Sequence, residues 1–319
     1  MRALADGARA VWRNPGLVAL VLAGNLAFAL VLAVPFALTL ERDLVHTGAS
    51  STMMYGFDYD WWARFDARAQ GPAGGFAPDL LGNGFAWRNL DLLLRGQVPA
   101  GLFAAGGPGP DATILGLGLL YWLLQLFLTG GLVGVFRAPA GGFTLRGFVH
   151  GSGFYCGRLF RVGLFSLAAA GCVFAAYAPL ARWTDTLARE AVSERSALAL
   201  VLGRNALLLL ALLLVHMVSS YAKLTVVCEE RLSALLALVS SLGFCRRNLG
   251  AALGQYAVVG LAGLGLLALF GWADPGLAVS GWRSQLVALA LFQALVAARI
   301  ALRLTLLAGQ VELHQARGR

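Results

Sequence analysis

The chain reads as an all-α membrane protein: a polytopic bundle of six transmembrane helices, with amphipathic helices on its inner surface and a small outer cap. Three observations carry that reading. Charged residues make up 13% of the 319, about half the roughly 25% of soluble domains. The uncharged residues collect in six intervals, 14–40, 112–136, 162–181, 205–222, 248–273 and 284–298, and a membrane span needs about 20 apolar residues. Basic residues also alternate in density between those intervals. With the N-terminus inside, inner segments hold 15 basic residues against four acids (Asp6, Glu229, Glu230, Glu312), a net +11, while outer segments hold 10 against 12, a net −2. Positive charge is retained on the cytoplasmic side of spans, so both termini are expected there. Lys223 is the only lysine among 25 basic residues. With the Ala, Gly and Leu richness, this suggests GC-rich bacterial coding and a bacterial inner membrane.

Residues 1–14 read as a short amphipathic helix at the inner interface, with Trp12 at headgroup depth and Arg9 and Arg13 toward anionic lipid. Pro15 suits a helix start. The following apolar run far exceeds the roughly 7–15 residues of a signal-peptide core, so it is expected to be a retained anchor. Residues 41–111 are broken by Gly and Pro and hold too little apolar surface for a core of their own. They are expected to fold as a cap over the bundle, with short helices at 60–69 (Asp60 as cap, paired to Arg64) and near 83–95. Trp61, Trp62, Trp87, Trp183, Trp272 and Trp282 all fall on the outer side, as an aromatic belt requires.

The second span is expected at 113–136, then an inner segment 137–161 rich in Phe, Gly and Arg, the third span, and an outer loop 182–204 with a helix at 184–195. The fourth span leads through Glu229-Glu230-Arg231 to an inner surface helix ending at Arg246-Arg247, and the fifth and sixth spans follow. The sixth interval has only 15 residues, so the last helix must run past Arg299. Gly130 and Gly134, like Gly250 and Gly254, have the small-xxx-small spacing of close helix packing. Residues 1–319 are taken as one membrane domain. Val149-His150-Gly151-Ser152-Gly153-Phe154 parallels Val239-Ser240-Ser241-Leu242-Gly243-Phe244. Together with the recurring order of surface helix and two spans, this suggests three units, 1–136, 137–226 and 227–319, with 41–111 inserted in the first.

Tyr221-Ala222-Lys223, Glu229-Glu230-Arg231, Ala234-Leu235, Ala237-Leu238 and Phe244 before Arg246-Arg247 form a pattern. It resembles the integral membrane domain of bacterial glycerophosphodiester phosphodiesterases and related six-span proteins. Ser220 stands where that pattern carries an acid. The resemblance covers residues 219–256 and implies the fold; it implies no activity, because no phosphodiesterase catalytic domain accompanies it.

Few residues suggest chemistry. His216 lies inside the fourth span, where an ionisable group either handles protons or sits neutral against a neighbouring helix. Arg299 and Arg303 share a face of the last helix. They either snorkel to the interface or pair with Glu229 or Glu230 in a structural clamp, and the clamp is expected. Asp58, Asp60 and Asp66 lack calcium-loop spacing and read as a solvated helix face. Cys156, Cys172, Cys228 and Cys245 match no zinc spacing and are expected as small buried residues. No cofactor, metal or catalytic arrangement is expected. Nucleic acid is excluded as a partner, because the basic residues flank spans and form no soluble basic domain. The expected function is a non-enzymatic membrane scaffold or accessory subunit that organises lipids or a protein partner. The alternative is a permease subunit that pairs with an ATPase.

Overall fold

The computed structural model describes residues 2–47, 49, 58–69, 94, 112–138, 143–273 and 282–317. It is helical throughout: α1 (Arg2–Arg13), α2 (Pro15–Thr47), α3 (Tyr59–Arg68), α4 (Ala112–Arg137), α5 (Leu145–Glu190), α6 (Glu194–Cys228), α7 (Ala234–Arg247), α8 (Leu249–Ala273) and α9 (Trp282–Arg317). Among the described residues six helices are long and apolar enough to cross a membrane: α2, α4, α5, α6, α8 and α9. Each covers one of the six charge-free intervals to within one residue. The chain is an all-α, multi-pass membrane protein.

Two helices run further than the charge pattern suggests. The segment 145–161 is not a separate surface helix, because α5 continues through it into the third span without a break. At its other end α5 reaches Glu190, and α6 begins at Glu194. The expected outer loop is therefore a short break flanked by helix. Charged residues interrupt an apolar run without interrupting helical backbone, since Arg and Glu are good helix formers. Pro179 lies inside α5. The last helix does continue past Arg299, to Arg317.

The chain divides into two compact units. The first comprises Met1–Leu26, Leu124–Ser166 and His216–Arg319; the second comprises Ala27–Leu123 and Leu167–Val215.

The first unit holds the largest core, with Leu17, Val133, Leu159, Val162, Tyr221, Leu224, Val226 and Val227 fully or almost fully enclosed. Its helices approach most closely at glycines. A Cβ on Gly7 of α1 would lie 2.5 Å from the Gly309 nitrogen of α9, so the two backbones touch. Leu4, Gly7 and Val11, spaced one turn apart, form the buried stripe of α1. Gly131 of α4 meets α5 in the same way, 2.7 Å from the Phe148 carbonyl oxygen to its built Cβ. Gly130 lies against Gly151 and Ser152, but Gly134, Gly250 and Gly254 have open space where a side chain would go. Of the two small-xxx-small pairs, one glycine packs closely and its neighbour Gly131 does the rest. Spacing alone does not say which helix face a partner covers.

In the second unit α3 packs on α2. Trp61 stacks on Phe65 at 5.1 Å, and both are buried against Phe36, Leu40 and Leu44. The Trp61 indole N–H donates to Asp43 at 2.8 Å, and Arg68 pairs with Asp43 at 3.3 Å. The cap of α3 is Asp58, which accepts from the Trp61 N–H at 2.8 Å. Asp60 sits in the first turn, and the Arg64 guanidinium bonds its backbone oxygen at 3.1 Å. Trp61 is thus a core residue, while Trp183, Trp272 and Trp282 are exposed as belt residues would be. The helix expected at 83–95 lies outside the described residues except for Leu94. The Leu94 carbonyl oxygen is 2.7 Å from the Tyr177 hydroxyl. Arg204 is buried and donates to the Ala181 oxygen at 2.7 Å and to Thr184 at 2.8 Å.

Candidate functional site

The candidate site lies in the first unit, where α6 ends and the chain turns into α7. Helix α6 stops at Cys228. Glu230 then adopts φ 54°, a left-handed conformation that a residue with a Cβ enters only at some cost. Two arginines hold it there. Arg137, the last residue of α4, donates to the Val227 carbonyl oxygen at 2.8 Å and to the Glu230 carboxylate at 3.0 Å. It thereby satisfies one carbonyl that the helix end leaves open. Arg158 of α5 reaches the Glu230 carbonyl oxygen at 3.4 Å. Glu229 bonds Arg231 at 2.7 Å and His314 Nε2 at 3.1 Å.

Glu229 and Glu230 are therefore clamped, but not by the expected partners. Among the described residues neither Arg299 nor Arg303 reaches them. The reason is depth. Glu229 is level with His314, and Arg303 stands 11 residues earlier on α9, about 16 Å along the axis. The sequence did offer a signal for Arg137, the first charge after the second span and so at the same end as Glu230. It offered none for His314 beyond the presence of an ionisable residue late in α9.

Above this turn runs a polar seam between α6, α8 and α9. The Gln255 side-chain amide donates to the Gly309 carbonyl oxygen at 3.0 Å, and Tyr221 donates to Gln255 at 3.5 Å. The Tyr256 hydroxyl accepts from Gln310 at 3.0 Å and donates to Ser220 at 3.4 Å. Ser220 is thus a neutral acceptor in this seam. His216 packs edge-on against the Tyr256 ring at 5.8 Å and has no hydrogen-bonding partner among the described residues. Phe244 of α7 fills the space between the Tyr221 ring at 5.0 Å and the His314 ring at 5.2 Å. Tyr221, Gln255, Tyr256, Gln310 and Ser220 are bonded to one another or to backbone in a partly enclosed region, where an unpaired group costs most, while Nδ1 of His314 is buried with no partner among the described residues.

No protein-family model, curated protein or solved structure matches this chain.

Helix α7 separates this seam from its surroundings. Ser233 caps it, accepting from the Leu236 N–H at 3.4 Å. Ala234, Ala237, Ser241, Phe244 and Cys245 face inward. Burial pushes the Cys245 thiol up to about 11, so it holds its proton near neutral pH. The opposite face carries Leu235, Leu236, Val239 and Leu242, with Leu232 just before the helix, every one more than half exposed. An amphipathic surface helix shows water a polar face; α7 shows leucine and valine, with exposed Arg246 and Arg247 at its end. The four cysteines are free. Among the described residues no three His, Cys, Asp or Glu side chains gather as metal ligands.

Proposed function

We propose that this protein is a non-enzymatic scaffold or accessory subunit of a bacterial inner membrane, with both termini cytoplasmic, which organises lipids or a membrane partner through α7. The observation that carries this reading is the outer face of α7. A helix with apolar residues on both faces is stable only when both are covered. One face covers the seam. The other suits the acyl chains of the inner leaflet, with Arg231, Arg246 and Arg247 positioned for anionic headgroups. The likeness of residues 219–256 to the membrane domain of glycerophosphodiester phosphodiesterases supports the same view, because the shared pattern is this turn and helix. The polar groups of the seam are engaged with one another, which favours a structural role over a substrate path.

The test is photo-cross-linking in living cells, with a diazirine amino acid at Leu236 or Leu242 and, as a control, at exposed Ala5 of α1. Phospholipid adducts or one recurrent membrane partner, enriched over Ala5, are expected. Equal, unselective adducts at all three sites would overturn the proposal. Co-purification of an ATPase with ATP-driven solute uptake would put the permease reading in its place.

A further inference from the structure

Helix α7 is fastened by polar bonds at its two ends and not between them. Before its start, Glu229 accepts from His314 Nε2 at 3.1 Å. After its end, Asn248 Oδ1 accepts from Arg317 at 3.1 Å. His314 and Arg317 are three residues apart, so one face of the last turns of α9 holds both ends of α7. Among the described residues no hydrogen bond runs from residues 234–247 to another helix. The Ser241 hydroxyl is taken by the Leu238 oxygen of its own helix at 2.8 Å. The inward face is mostly small, with Ala234, Ala237, Ser241 and Cys245, and its large side chain is Phe244, between the Tyr221 and His314 rings.

The fastening at the start of α7 carries two costs in this closed arrangement. Glu230, two residues past the end of α6, holds φ 54°. Glycine is the usual residue in such a place, because left-handed backbone crowds a Cβ. Nε2 of His314 faces a carboxylate, which only accepts, so Nε2 carries a proton. The other ring nitrogen, Nδ1, is buried without a partner among the described residues, on a side chain only 7% exposed. It has given up bonds to water and gained none in return. At the other end Asn248 is non-helical too, with φ −119° and ψ 25°. Helix α7 is therefore a stiff rod between two non-helical turns, and such turns serve as hinges. Strained backbone persists where the surroundings enforce it, and it gathers at segments that switch.

We infer that α7 is a hinged cover, clasped to α9 by His314 and Arg317, which lifts about Glu230 and Asn248 to uncover the Tyr221 side of the seam. Lifting lets Glu230 leave its left-handed backbone and brings His314 Nδ1 to water. Against this, Phe244 and Cys245 lose their burial, which keeps the closed form the more populated. The small inward residues part from their neighbours without interlocking. The inference rests on the reading of α7 as the contact surface in one respect. Whatever grips Leu236 and Leu242 grips a helix that moves, so its binding selects one of the two positions.

Cys245 is the reporter, since its thiol is buried on the inward face of α7. The full chain carries Cys156→Ser, Cys172→Ser and Cys228→Ser, and labelling of Cys245 by N-ethylmaleimide is timed in neutral detergent below the unfolding midpoint. A second protein, with Cys245→Ala and Val133→Cys, gauges global unfolding, because position 133 of α4 is fully buried. Cys245 is expected to label at least about tenfold faster than the thiol at position 133. Arg317→Ala opens the clasp and should speed labelling of Cys245 about fivefold, with position 133 unchanged. Glu230→Gly and Glu230→Ala both lose the pair with Arg137, yet only glycine relieves the backbone. Labelling should therefore be about fivefold slower in Glu230→Gly than in Glu230→Ala. Equal rates at positions 245 and 133, an unchanged rate in Arg317→Ala, or the same rate in both Glu230 variants would each overturn the inference. The first comparison leaves the clasp intact, so it decides the matter even where a clasp variant fails to fold. Labelling in detergent involves no partner and no bilayer, so the cross-linking result at Leu236 and Leu242 stands or falls separately.

Discussion

Helices α1 and α7 look alike on paper, both short, mainly apolar and ended by arginine, yet they divide their apolar residues between their faces in different ways. In α1 Leu4, Gly7 and Val11 are buried, with Leu4 and Gly7 against α9, while Arg2, Ala5 and Arg13 are exposed and Trp12 is the one large apolar residue turned outward. In α7 the inward face is made of small residues and Phe244, while the large aliphatic residues point away from the protein. Helix α1 is thus anchored by backbone contact with another helix and tolerates water on its far side. Helix α7 turns its large aliphatic residues outward, which on the proposed reading meet an apolar medium. The difference shows that a surface helix must be read from the size of the residues on each face, since counting apolar residues ranks the two together.

The comparison breaks most readily at Gly7. Gly7→Leu forces a side chain into the Gly309 backbone and is expected to destabilise the folded protein by about 1–3 kcal/mol or more. Thermal unfolding in detergent, with protease cleavage appearing within residues 2–13, would register it. Ala5→Leu, on the exposed side, should leave the midpoint unchanged; equal losses at both positions would mean α1 is not docked.

A charge on the outer face of α7 gives the next largest effect. Leu236→Glu in lipid vesicles is expected to cost about 1–2 kcal/mol, below the roughly 2.5–3.5 kcal/mol of a charge at the bilayer centre. Ala5→Glu on α1 should stay within about 0.5 kcal/mol. Both are measured as shifts of the unfolding midpoint in the same vesicles. A silent Leu236→Glu would place that face in water.

The smallest effect is expected at the turn between α6 and α7. Arg137→Gln removes the bond to the Val227 oxygen and the pair with Glu230, and should cost about 1 kcal/mol. Glu230→Gln should cost less, because that carboxylate is 61% exposed and exposed pairs contribute about 0–1 kcal/mol. Denaturant midpoints for the two variants order them; a larger loss for Glu230→Gln would make the ion pair, not the carbonyl bond, the main support.

Much of the fold was legible because span identity depends on one property, the absence of charge over about 20 residues. Arg204 marks where that rule stops: it ends the fourth charge-free interval but sits inside α6, buried, because Ala181, Thr184 and Asp185 receive its donors. The site was legible in part. Glu229 and Glu230 stood out as acids in a basic region. Their partners did not, because pairing depends on depth along other helices, and a charge pattern marks the sign of Arg299 but not its height relative to Glu229. The seam of Tyr221, Gln255, Tyr256 and Gln310 was missed, since single Tyr and Gln residues in apolar runs carry no spacing signal. Gly7 and Gly309 were missed for the same reason, being one glycine each on helices distant in sequence.

That last contact sets a timetable for biogenesis. Residue 7 leaves the ribosome about 300 residues before residue 309, roughly 15–60 s earlier at 5–20 residues per second. For that interval α1 has no α9 to rest on, and its Leu4 and Val11 stripe must be sheltered by the lipid surface or by the insertion machinery. Closing α1 against α9 is therefore a step of assembly that waits until residue 309 has been made.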